Sequence, residues 1–315
     1  MNEKILIIGA NGQIGTALLP LLQQVYGDEE VIGTDIRRPQ TEISIFELLD
    51  ATKPSDLAHI ITKHKITQIY HLAAILSATA EKNPLVSWDL NMQTLLNVLE
   101  AGRVFCLDKI FVPSSIAVFG QSALKQHTPQ HSYLDPSTVY GISKVATENW
   151  ANYYYLRYGL DVRSLRYPGV ISYQSMPGGG TTDYAVEIFH KAVSGEPYTC
   201  FLSEDTMLPM IYIPDALRAT LELMEADAER LRIRTSYNIA GLSFTPKEVA
   251  SAIKKEMPEF TVTFAPDFRQ QIAESWPQSI DDSQALKDWN WKPKYDLAAM
   301  THDMLVQLAH QAVEK

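Results

Sequence analysis

A glycine-rich turn after the first apolar run constrains the fold more than any other feature of the sequence. The run Ile5–Ile8 stops at Gly9, and glycine recurs at Gly12 and Gly15 before a segment with helical spacing begins near Thr16. Glycine lets a backbone turn tightly and approach a pyrophosphate, and the following helix presents free N–H groups to an anion. The motif therefore predicts a dinucleotide site, with an ordinary strand-to-helix turn as the alternative when it is taken alone.

Short apolar runs alternate with longer segments of helical periodicity over the first half of the chain. From Pro84 onward, for example, apolar residues recur at steps of three and four. This alternation is typical of a parallel sheet with helices on both faces. The candidate strands are Lys4–Ile8, Glu30–Asp35, Thr67–Leu72, Lys109–Ser114 and Asp161–Tyr167.

The second half of the chain has a different pattern. Prolines and glycines interrupt the region 168–207, whereas a candidate helix and a late candidate strand return at about 208–241. We therefore expect an α/β protein with a Rossmann-type, doubly wound parallel sheet over 1–167, to which 208–241 returns. A smaller C-terminal α/β lobe for substrate would comprise 168–207 and 242–315, anchored by its tryptophans, Trp276, Trp289 and Trp291.

Composition argues against several classes of protein. The formal net charge is −10, whereas nucleic-acid binding needs clustered Lys and Arg. No apolar run approaches the ~20 residues of a membrane-spanning helix, and the N-terminus does not have the pattern of a signal peptide. Cys106 and Cys200 form no C-x-x-C pair, so we expect no metal site, reduced thiols and a cytoplasmic location.

Two acidic residues, Asp35 and Asp50, lie where a dinucleotide would bind. Asp35 lies 20 residues after the last glycine of the turn, where a carboxylate accepts hydrogen bonds from the ribose of NAD and repels the 2′-phosphate of NADP. Arg37 and Arg38 can instead bind that phosphate, so NADP is the alternative. Asp50, followed by Ala51, would lie near the adenine amino group; the alternative for Asp50 is a helix or turn cap.

Tyr140 and Lys144 form the candidate catalytic pair. They are four residues apart, and residues at this spacing share one face of a helix. We expect the ammonium and a positive nicotinamide to lower the pKa of Tyr140 from about 10 toward neutrality, so that the phenolate takes a proton from a substrate hydroxyl. Ser114 and Ser115 end a candidate strand at the ligand edge of the sheet. A surface pair and a turn serine are the alternatives when each motif is taken alone.

Together these landmarks resemble the extended short-chain dehydrogenase/reductase superfamily, which includes the UDP-sugar epimerases, over nearly the whole chain. Further matches are His71-Leu72-Ala73-Ala74, Asn91 and Ser114–Gly120. The resemblance implies that Ser115 rather than Ser114 is catalytic, and that Asn91 positions a water or a backbone group near Lys144. It also implies a homodimer formed through the Asn91 and Tyr140 helices. The expected NAD-binding residues are Gly9, Asn11, Gly12, Gln13, Ile14, Asp35, Arg37, Asp50, Ala51, Leu72, Ala73, Ala74, Asn91, Tyr140, Lys144 and Tyr167.

Within the superfamily the chain is similar to the short-chain L-threonine 3-dehydrogenases. The similarity is carried by His71–Lys82, Arg166–Ser172, Gly178–Ala185 and Leu208–Asp215. It implies NAD-dependent oxidation of L-threonine to 2-amino-3-ketobutyrate. Backbone N–H groups and hydroxyls of Gly178–Thr182 can hold the substrate carboxylate, and a flexible connection is the alternative for this loop. The expected substrate-binding residues are Ser77, Ser115, Tyr140, Gly180, Thr181 and Thr182.

Two other functions are compatible with the same motifs. A UDP-sugar 4-epimerase shares the fold and the Tyr/Lys pair, but such enzymes commonly have an asparagine after the sixth strand, where this chain reads Arg166-Tyr167-Pro168-Gly169. A non-enzymatic NAD-sensing protein is also possible on this fold. Such a protein would typically have lost the tyrosine or the lysine, and both are present.

Overall fold

The computed structural model describes residues 3–39, 43–174, 176 and 178–313. The strands in these ranges are β1 (Ile5–Ile8), β2 (Val31–Asp35), β3 (Phe46–Leu48), β4 (Gln68–His71), β5 (Lys109–Phe111), β6 (Ser114–Ser115), β7 (Val162–Arg163), β8 (Leu165–Tyr167), β9 (Gly169–Ile171), β10 (Tyr198–Cys200), β11 (Leu208–Tyr212), β12 (Tyr237–Asn238), β13 (Leu242–Phe244) and β14 (Val262–Phe264). The helices are α1 (Gly15–Tyr26), α2 (Pro54–His64), α3 (Ser77–Ala80), α4 (Pro84–Val104), α5 (Val139–Tyr158), α6 (Tyr184–Val193), α7 (Ile213–Glu225), α8 (Pro246–Glu256), α9 (Arg269–Ser275), α10 (Ser283–Trp289) and α11 (Leu297–Val313).

A six-stranded parallel sheet in the order β3-β2-β1-β4-β5-β7 lies at the centre. Ile5 of β1 pairs with Val31 on one side and with Gln68 on the other. All four residues of β1 are buried, as expected of a parallel strand covered on both faces. The order reverses direction between β1 and β4, and ligands of such sheets bind beyond the carboxyl ends of the strands at that point. The predicted Rossmann-type fold is confirmed.

A separate three-stranded sheet in the order β12-β8-β6 adjoins the central sheet. Only Ser164 separates β7 from β8, and β8 pairs in parallel with both β6 and β12. The register places Ser115 beside Tyr167. The predicted strand Lys109–Ser114 is divided in two, since Pro113 has no N–H group to donate to a neighbouring strand.

The region beyond Tyr167 is more regular than its prolines and glycines predict. Strand β9 pairs in parallel with β11, and β11 pairs antiparallel with β13. Helices α6, α8 and α11 pack against one another. Since β9 and β11 share a small sheet across the boundary at 167/168, the division into a nucleotide-binding domain and a substrate lobe stays a proposal. None of the helices in the described ranges is long and apolar enough to cross a membrane.

Candidate active site

The backbone of the glycine turn packs closely against neighbouring backbone atoms. Gly9 has a φ of +91°, and a Cβ there would lie 2.8 Å from the backbone nitrogen of Ala73, so only glycine suits this position. At Gly12, by contrast, the nearest atom to an added Cβ is the Gly9 carbonyl oxygen at 3.3 Å. Among the described residues, the N–H groups of Gln13 and Ile14 donate to no backbone carbonyl. The turn therefore fits a pyrophosphate.

Asp35 lies beside this turn at the end of β2. Its Oδ2 accepts a hydrogen bond from the Asn11 N–H at 3.1 Å, and its Oδ1 accepts one from the Arg37 N–H at 3.3 Å. The Asn11 side chain in turn donates to the Arg37 carbonyl at 2.7 Å. These contacts hold a carboxylate next to the pyrophosphate seat, where the ribose of NAD would reach it. Arg37 and Arg38 are exposed at the start of the next loop.

Asp50 and Ala51 follow β3, a strand that the sequence patterns did not reveal. The Asp50 Oδ1 accepts hydrogen bonds from the N–H of Thr52 at 3.1 Å and from its hydroxyl at 2.6 Å. Asp50 thus serves as a turn cap, the alternative that the sequence left open, and these bonds lower the pKa of its carboxyl group. The Ala51 carbonyl accepts from the Asn97 side chain at 2.9 Å. A contact of this pair with adenine remains a prediction.

The position of Asp35 makes a prediction about cofactor selectivity. Asp35→Ala should weaken NAD binding by about tenfold or more, because hydrogen bonds to a charged group contribute about 1.5–3 kcal/mol. NADP binding should be unchanged or stronger, since the repulsion of its 2′-phosphate is removed. Titration calorimetry with both cofactors measures the two dissociation constants. Asp35→Asn is the matched control, because it removes the charge and keeps an acceptor; equal weakening of both cofactors in Asp35→Ala contradicts the ribose role.

An open cleft with about 780 Å³ of empty space lies at the carboxyl edge of the strands. Several expected site residues line it, namely Gln13, Ile14, Leu72, Ala74, Ser77, Ser115, Tyr140, Lys144, Tyr167, Gly180, Thr181 and Thr182. The other expected cofactor residues lie outside this lining, namely Gly9, Asn11, Gly12, Asp35, Arg37, Asp50, Ala51, Ala73 and Asn91. Within the described ranges, no group of three or more His, Cys, Asp or Glu side chains is arranged to hold a metal ion.

Tyr140, Lys144 and Ser115 meet in this cleft. The Thr138 hydroxyl caps α5 by accepting from the Gly141 N–H at 3.1 Å, which places Tyr140 in the first turn of the helix. The Lys144 ammonium lies 5.5 Å from the centre of the Tyr140 ring and donates to the Pro113 carbonyl at 2.7 Å. Ser115, at the end of β6, forms a hydrogen bond with the Tyr140 side chain that lowers the pKa of the phenol.

Burial outweighs that effect of Ser115. It raises the pKa of Tyr140 to about 12 and lowers the pKa of Lys144 to about 8, with the Glu148 carboxylate opposing the second shift. The protein groups alone therefore raise the pKa of Tyr140, whereas the lowering expected from the sequence also includes the charge of the nicotinamide and remains a prediction. The reason is that desolvation disfavours the phenolate, while the Lys144 ammonium bonds to a carbonyl and does not lower the pKa of Tyr140. The protein's own groups do not produce a phenolate at neutral pH.

The side chains of Asn91 and Tyr167 form hydrogen bonds with other residues of the protein. Asn91 accepts from the Ile75 N–H at 2.8 Å and donates to the Ile75 carbonyl at 3.2 Å. It therefore holds the segment after β4 in place, and the positioning of a water or a backbone group near Lys144 remains a prediction. The Tyr167 hydroxyl bonds to the Thr220 hydroxyl of α7, so its hydroxyl group is directed at α7. A direct contact of either side chain with NAD remains a prediction.

The backbone N–H groups of the glycine loop before α6 were expected to bind the substrate carboxylate. In the structure, those of Gly179 and Gly180 instead donate to Oδ2 of Asp183, at 2.8 and 2.7 Å. A buried carboxylate requires such donors, and burial raises the pKa of Asp183. Thr181 is buried, and its hydroxyl lies 3.4 Å from that of Ser77.

Among the cleft residues that sequence reasoning did not predict, Asp183 and Trp276 matter most for the chemistry of the site. Asp183 directly precedes α6, where an acidic residue is typical of a helix cap. Trp276 was expected only to anchor the C-terminal lobe, yet it contributes to the cleft. The resemblance of Gly178–Ala185 pointed to this loop, but no sequence signal singled out Trp276.

Comparisons with known proteins support the family that the sequence motifs resemble. The model of the NAD dependent epimerase/dehydratase family matches residues 5–240. An uncharacterized epimerase/dehydratase of Staphylococcus aureus is 47% identical over 308 residues, which are 96% of each chain. A solved partial consensus L-threonine 3-dehydrogenase is 56% identical, with a TM-score of 0.96 and coverage of 98% of this chain and 99% of that one.

Two further solved structures bear on the cofactor and on the assembly. The holo form of an L-threonine dehydrogenase from Cupriavidus necator is 55% identical, with a TM-score of 0.95 and coverage of 97% and 99%. A monomeric L-threonine 3-dehydrogenase from a metagenome is 45% identical, with a TM-score of 0.95 and coverage of 98% and 99%. The resemblance inferred from the sequence motifs is confirmed, and this chain belongs to the NAD dependent epimerase/dehydratase family.

Proposed function

We propose that the protein oxidises the Cβ hydroxyl of L-threonine to the ketone of 2-amino-3-ketobutyrate, with NAD as the oxidant. The observation that carries this proposal is the cleft, which joins Ser115, Tyr140 and Lys144 to the buried carboxylate of Asp183. The similar solved structures described as L-threonine 3-dehydrogenases support the same substrate.

The three catalytic side chains have separate roles in this reaction. Tyr140 takes the proton of the substrate hydroxyl as general base. The Ser115 hydroxyl orients the substrate oxygen by hydrogen bonding, from a position where it already bonds to Tyr140. Lys144 stands one helical turn away, where its ammonium can bind the cofactor ribose and stabilise a phenolate. NAD, when bound, supplies the acceptor for the hydride from Cβ and a positive charge that opposes the raised pKa of Tyr140.

The ammonium and the carboxylate of a zwitterionic amino acid have candidate partners among the other lining residues. Asp183 is the one carboxylate among the described lining residues, so it is the natural partner of the substrate ammonium. The hydroxyls of Ser77 and Thr181 are close together and can donate to the substrate carboxylate. Gly180 and Thr182 also line the cleft, and their contact with the substrate is part of the proposal.

The charge of the cleft disfavours a nucleotide sugar. Lys144 is the only Lys or Arg among the described residues that line it. A diphosphate carries two or more negative charges, and proteins bind it with several cations or with a helix N-terminus. The N-terminus of α1 follows the glycine turn proposed to hold the NAD pyrophosphate, and that of α6 is preceded by the carboxylate of Asp183, which disfavours an anion there. We therefore favour a small amino acid over a UDP-sugar.

A spectrophotometric assay tests this function. Purified protein with NAD and L-threonine at mildly alkaline pH should produce NADH, seen as growing absorbance, while UDP-galactose in parallel samples should not be converted. Omission of NAD or threonine is the control. Conversion of the sugar without oxidation of threonine would overturn the proposal and favour the epimerase.

We infer a homodimer from the outer face of α5. Ile142, Tyr153 and Leu156 lie on one face of the helix and are 48%, 46% and 73% exposed. An apolar stripe of this kind marks an interaction surface. A similar solved structure is described as monomeric, so the state of this chain needs a direct measurement.

Light scattering after size exclusion should give twice the chain mass of 35.4 kDa. Leu156→Glu should shift the protein to a monomer, because a buried charge without a partner destabilises an interface. Leu124→Glu is the matched control, since Leu124 is 65% exposed in a loop and is not part of α5. A wild-type monomer at micromolar concentration contradicts the dimer.

We also infer a cytoplasmic location. Cys106 and Cys200 both have free thiols, and a reducing compartment keeps thiols in this form. Labelling of the native protein with a thiol reagent directly after extraction tests this, with modification of the exposed Cys106 as the expected result.

A further inference from the structure

Trp276 forms a wall of the active-site cleft that comes from a distant part of the chain. All the other described lining residues lie between Gln13 and Asp183, so Trp276 is the single contribution of the segment 242–315. Its side chain is 5% exposed. An indole is large and rigid, and a wall of this kind limits the size of any ligand beside it.

The same tryptophan also borders a second cavity. That cavity is lined by Lys125, Thr206, Gln270 and Glu274 among others, and Trp276 is the residue that it shares with the active-site cleft. Trp276 thus lies between the two cavities, and the position of its backbone bears on the shape of the active-site cleft.

Lys125 holds that backbone. Its ammonium donates to the carbonyls of Glu274, Ser275 and Trp276 at 3.0, 2.8 and 3.3 Å. These carbonyls lie at the end of α9, where the helix supplies no partners for them. The Lys125 carbonyl accepts in turn from the N–H groups of Gln278 and Ser279 at 2.6 and 3.1 Å. One residue thus bonds to the chain on both sides of Trp276.

We propose that Trp276 sets the size of the 3-hydroxy amino acid that the cleft admits, and that Lys125 is the positioning residue that holds Trp276 in place. This inference rests on the proposed oxidation of threonine. The ammonium, carboxylate and hydroxyl of that substrate would be bound by polar groups, which leaves the substituent on Cβ to meet an apolar wall. A methyl or methylene group in such a pocket changes discrimination by about 10- to 200-fold.

The test compares L-threonine, L-serine and 3-hydroxynorvaline, which has one methylene more than threonine. Trp276→Ala should raise the kcat/KM ratio of 3-hydroxynorvaline to threonine by about tenfold or more relative to wild type. Trp276→Phe should raise it less, and this milder variant keeps the test available if the alanine variant does not fold. Trp289→Phe is the matched control, because Trp289 is buried in the same segment without lining the cleft; its ratio should equal that of wild type.

Lys125 is tested through the same ratio. Lys125→Met should shift the ratio in the same direction as Trp276→Ala, with a rise in KM for threonine that exceeds the fall in kcat. Lys125→Arg should restore most of the wild-type ratio, since its guanidinium can donate to the same carbonyls. A lysine that only stabilised the fold would lower the amount of active enzyme and leave the ratio unchanged.

The outcomes separate this inference from the proposed function. If the wild-type protein oxidises none of the three amino acids, the proposed function fails and the inference fails with it. If wild type oxidises threonine but both Trp276 variants keep the wild-type ratio, only the role of Trp276 is overturned. If the Trp276 variants shift the ratio and Lys125→Met does not, the positioning role of Lys125 is overturned.

Discussion

Tyr140→Phe is expected to reduce kcat for threonine oxidation by ~10²–10⁴-fold, the usual contribution of a general base. The variant removes one hydroxyl group and keeps the ring that packs beside Lys144. NAD binding should remain close to wild type, because the glycine turn and Asp35 are untouched. Initial rates of NADH formation measure the first effect, and titration calorimetry with NAD measures the second.

The pH dependence gives this prediction a second readout. Burial raises the pKa of Tyr140 to about 12, so the phenol must lose a proton before it can act as a base. Wild-type kcat/KM for threonine should therefore increase as the pH rises, with a slope of one proton. The residual rate of Tyr140→Phe should lack the increase that comes from the phenol, since its ring carries no ionisable group, and a pH dependence that remains belongs to Lys144, whose pKa burial lowers to about 8.

Tyr155→Phe is the matched control for Tyr140→Phe. Tyr155 lies on the same helix outside the cleft lining, and its ring lies under the Arg234 guanidinium at 4.1 Å. Phenylalanine preserves that ring, so the variant should keep nearly full activity. A Tyr140→Phe enzyme with the turnover and pH profile of wild type would remove Tyr140 from the proposed mechanism.

The glycine turn and the Tyr140 helix could be predicted because local sequence specifies them. Gly9 needs a positive φ, and Gly15 packs so closely on the Gly9 carbonyl that a Cβ there would clash. Both requirements select glycine at a fixed spacing in the sequence. The helix of Tyr140 and Lys144 likewise keeps their side chains on one face, whatever the rest of the chain does. Such features depend on neighbours within a few residues, which a pattern can record.

The features that sequence patterns missed depend on distant contacts. Strands β3, β9 and β10 have three residues each, too few for a periodicity of two to appear, and partner strands supply their stability. Trp276 reaches the cleft because Lys125, some 150 residues earlier, bonds to the carbonyls around it. The raised pKa of Tyr140 comes from burial by the whole fold. Such effects exist only in three dimensions.

A buried ion pair links the catalytic helix to the sheet. Glu148 lies one turn after Lys144 on α5, and its Oε2 meets the Arg166 guanidinium at 2.7 Å; the two side chains are 1% and 4% exposed. The other carboxylate oxygen, Oε1, accepts from the Ser114 hydroxyl at 2.6 Å. Ser114 and Arg166 face each other in β6 and β8, one residue before Ser115 and Tyr167. The pair therefore fixes the distance between the Tyr140 helix and the Ser115 strand.

Glu148→Met should lower the free energy of unfolding by about 3–5 kcal/mol, because it leaves the Arg166 guanidinium buried without its counter-charge. Arg166→Met should have a loss of similar size for the converse reason. The double variant should lose much less than the sum of the two, since it removes both charges and fills the space with apolar groups. Urea unfolding of the four proteins measures these values and the coupling between the sites.

An exposed ion pair supplies the matched control for this cycle. Lys191 and Glu196 form a pair on the surface, where their side chains are 44% and 57% exposed. Glu196→Met should change the free energy of unfolding by at most about 1 kcal/mol, because water solvates the lysine that remains. If Glu148→Met is as mild as this control, or if the losses at Glu148 and Arg166 simply add, then the pair does not hold helix and sheet together. In that case the approach of Ser115 to Tyr140 must be set by the packing of Gly141 against Ala117.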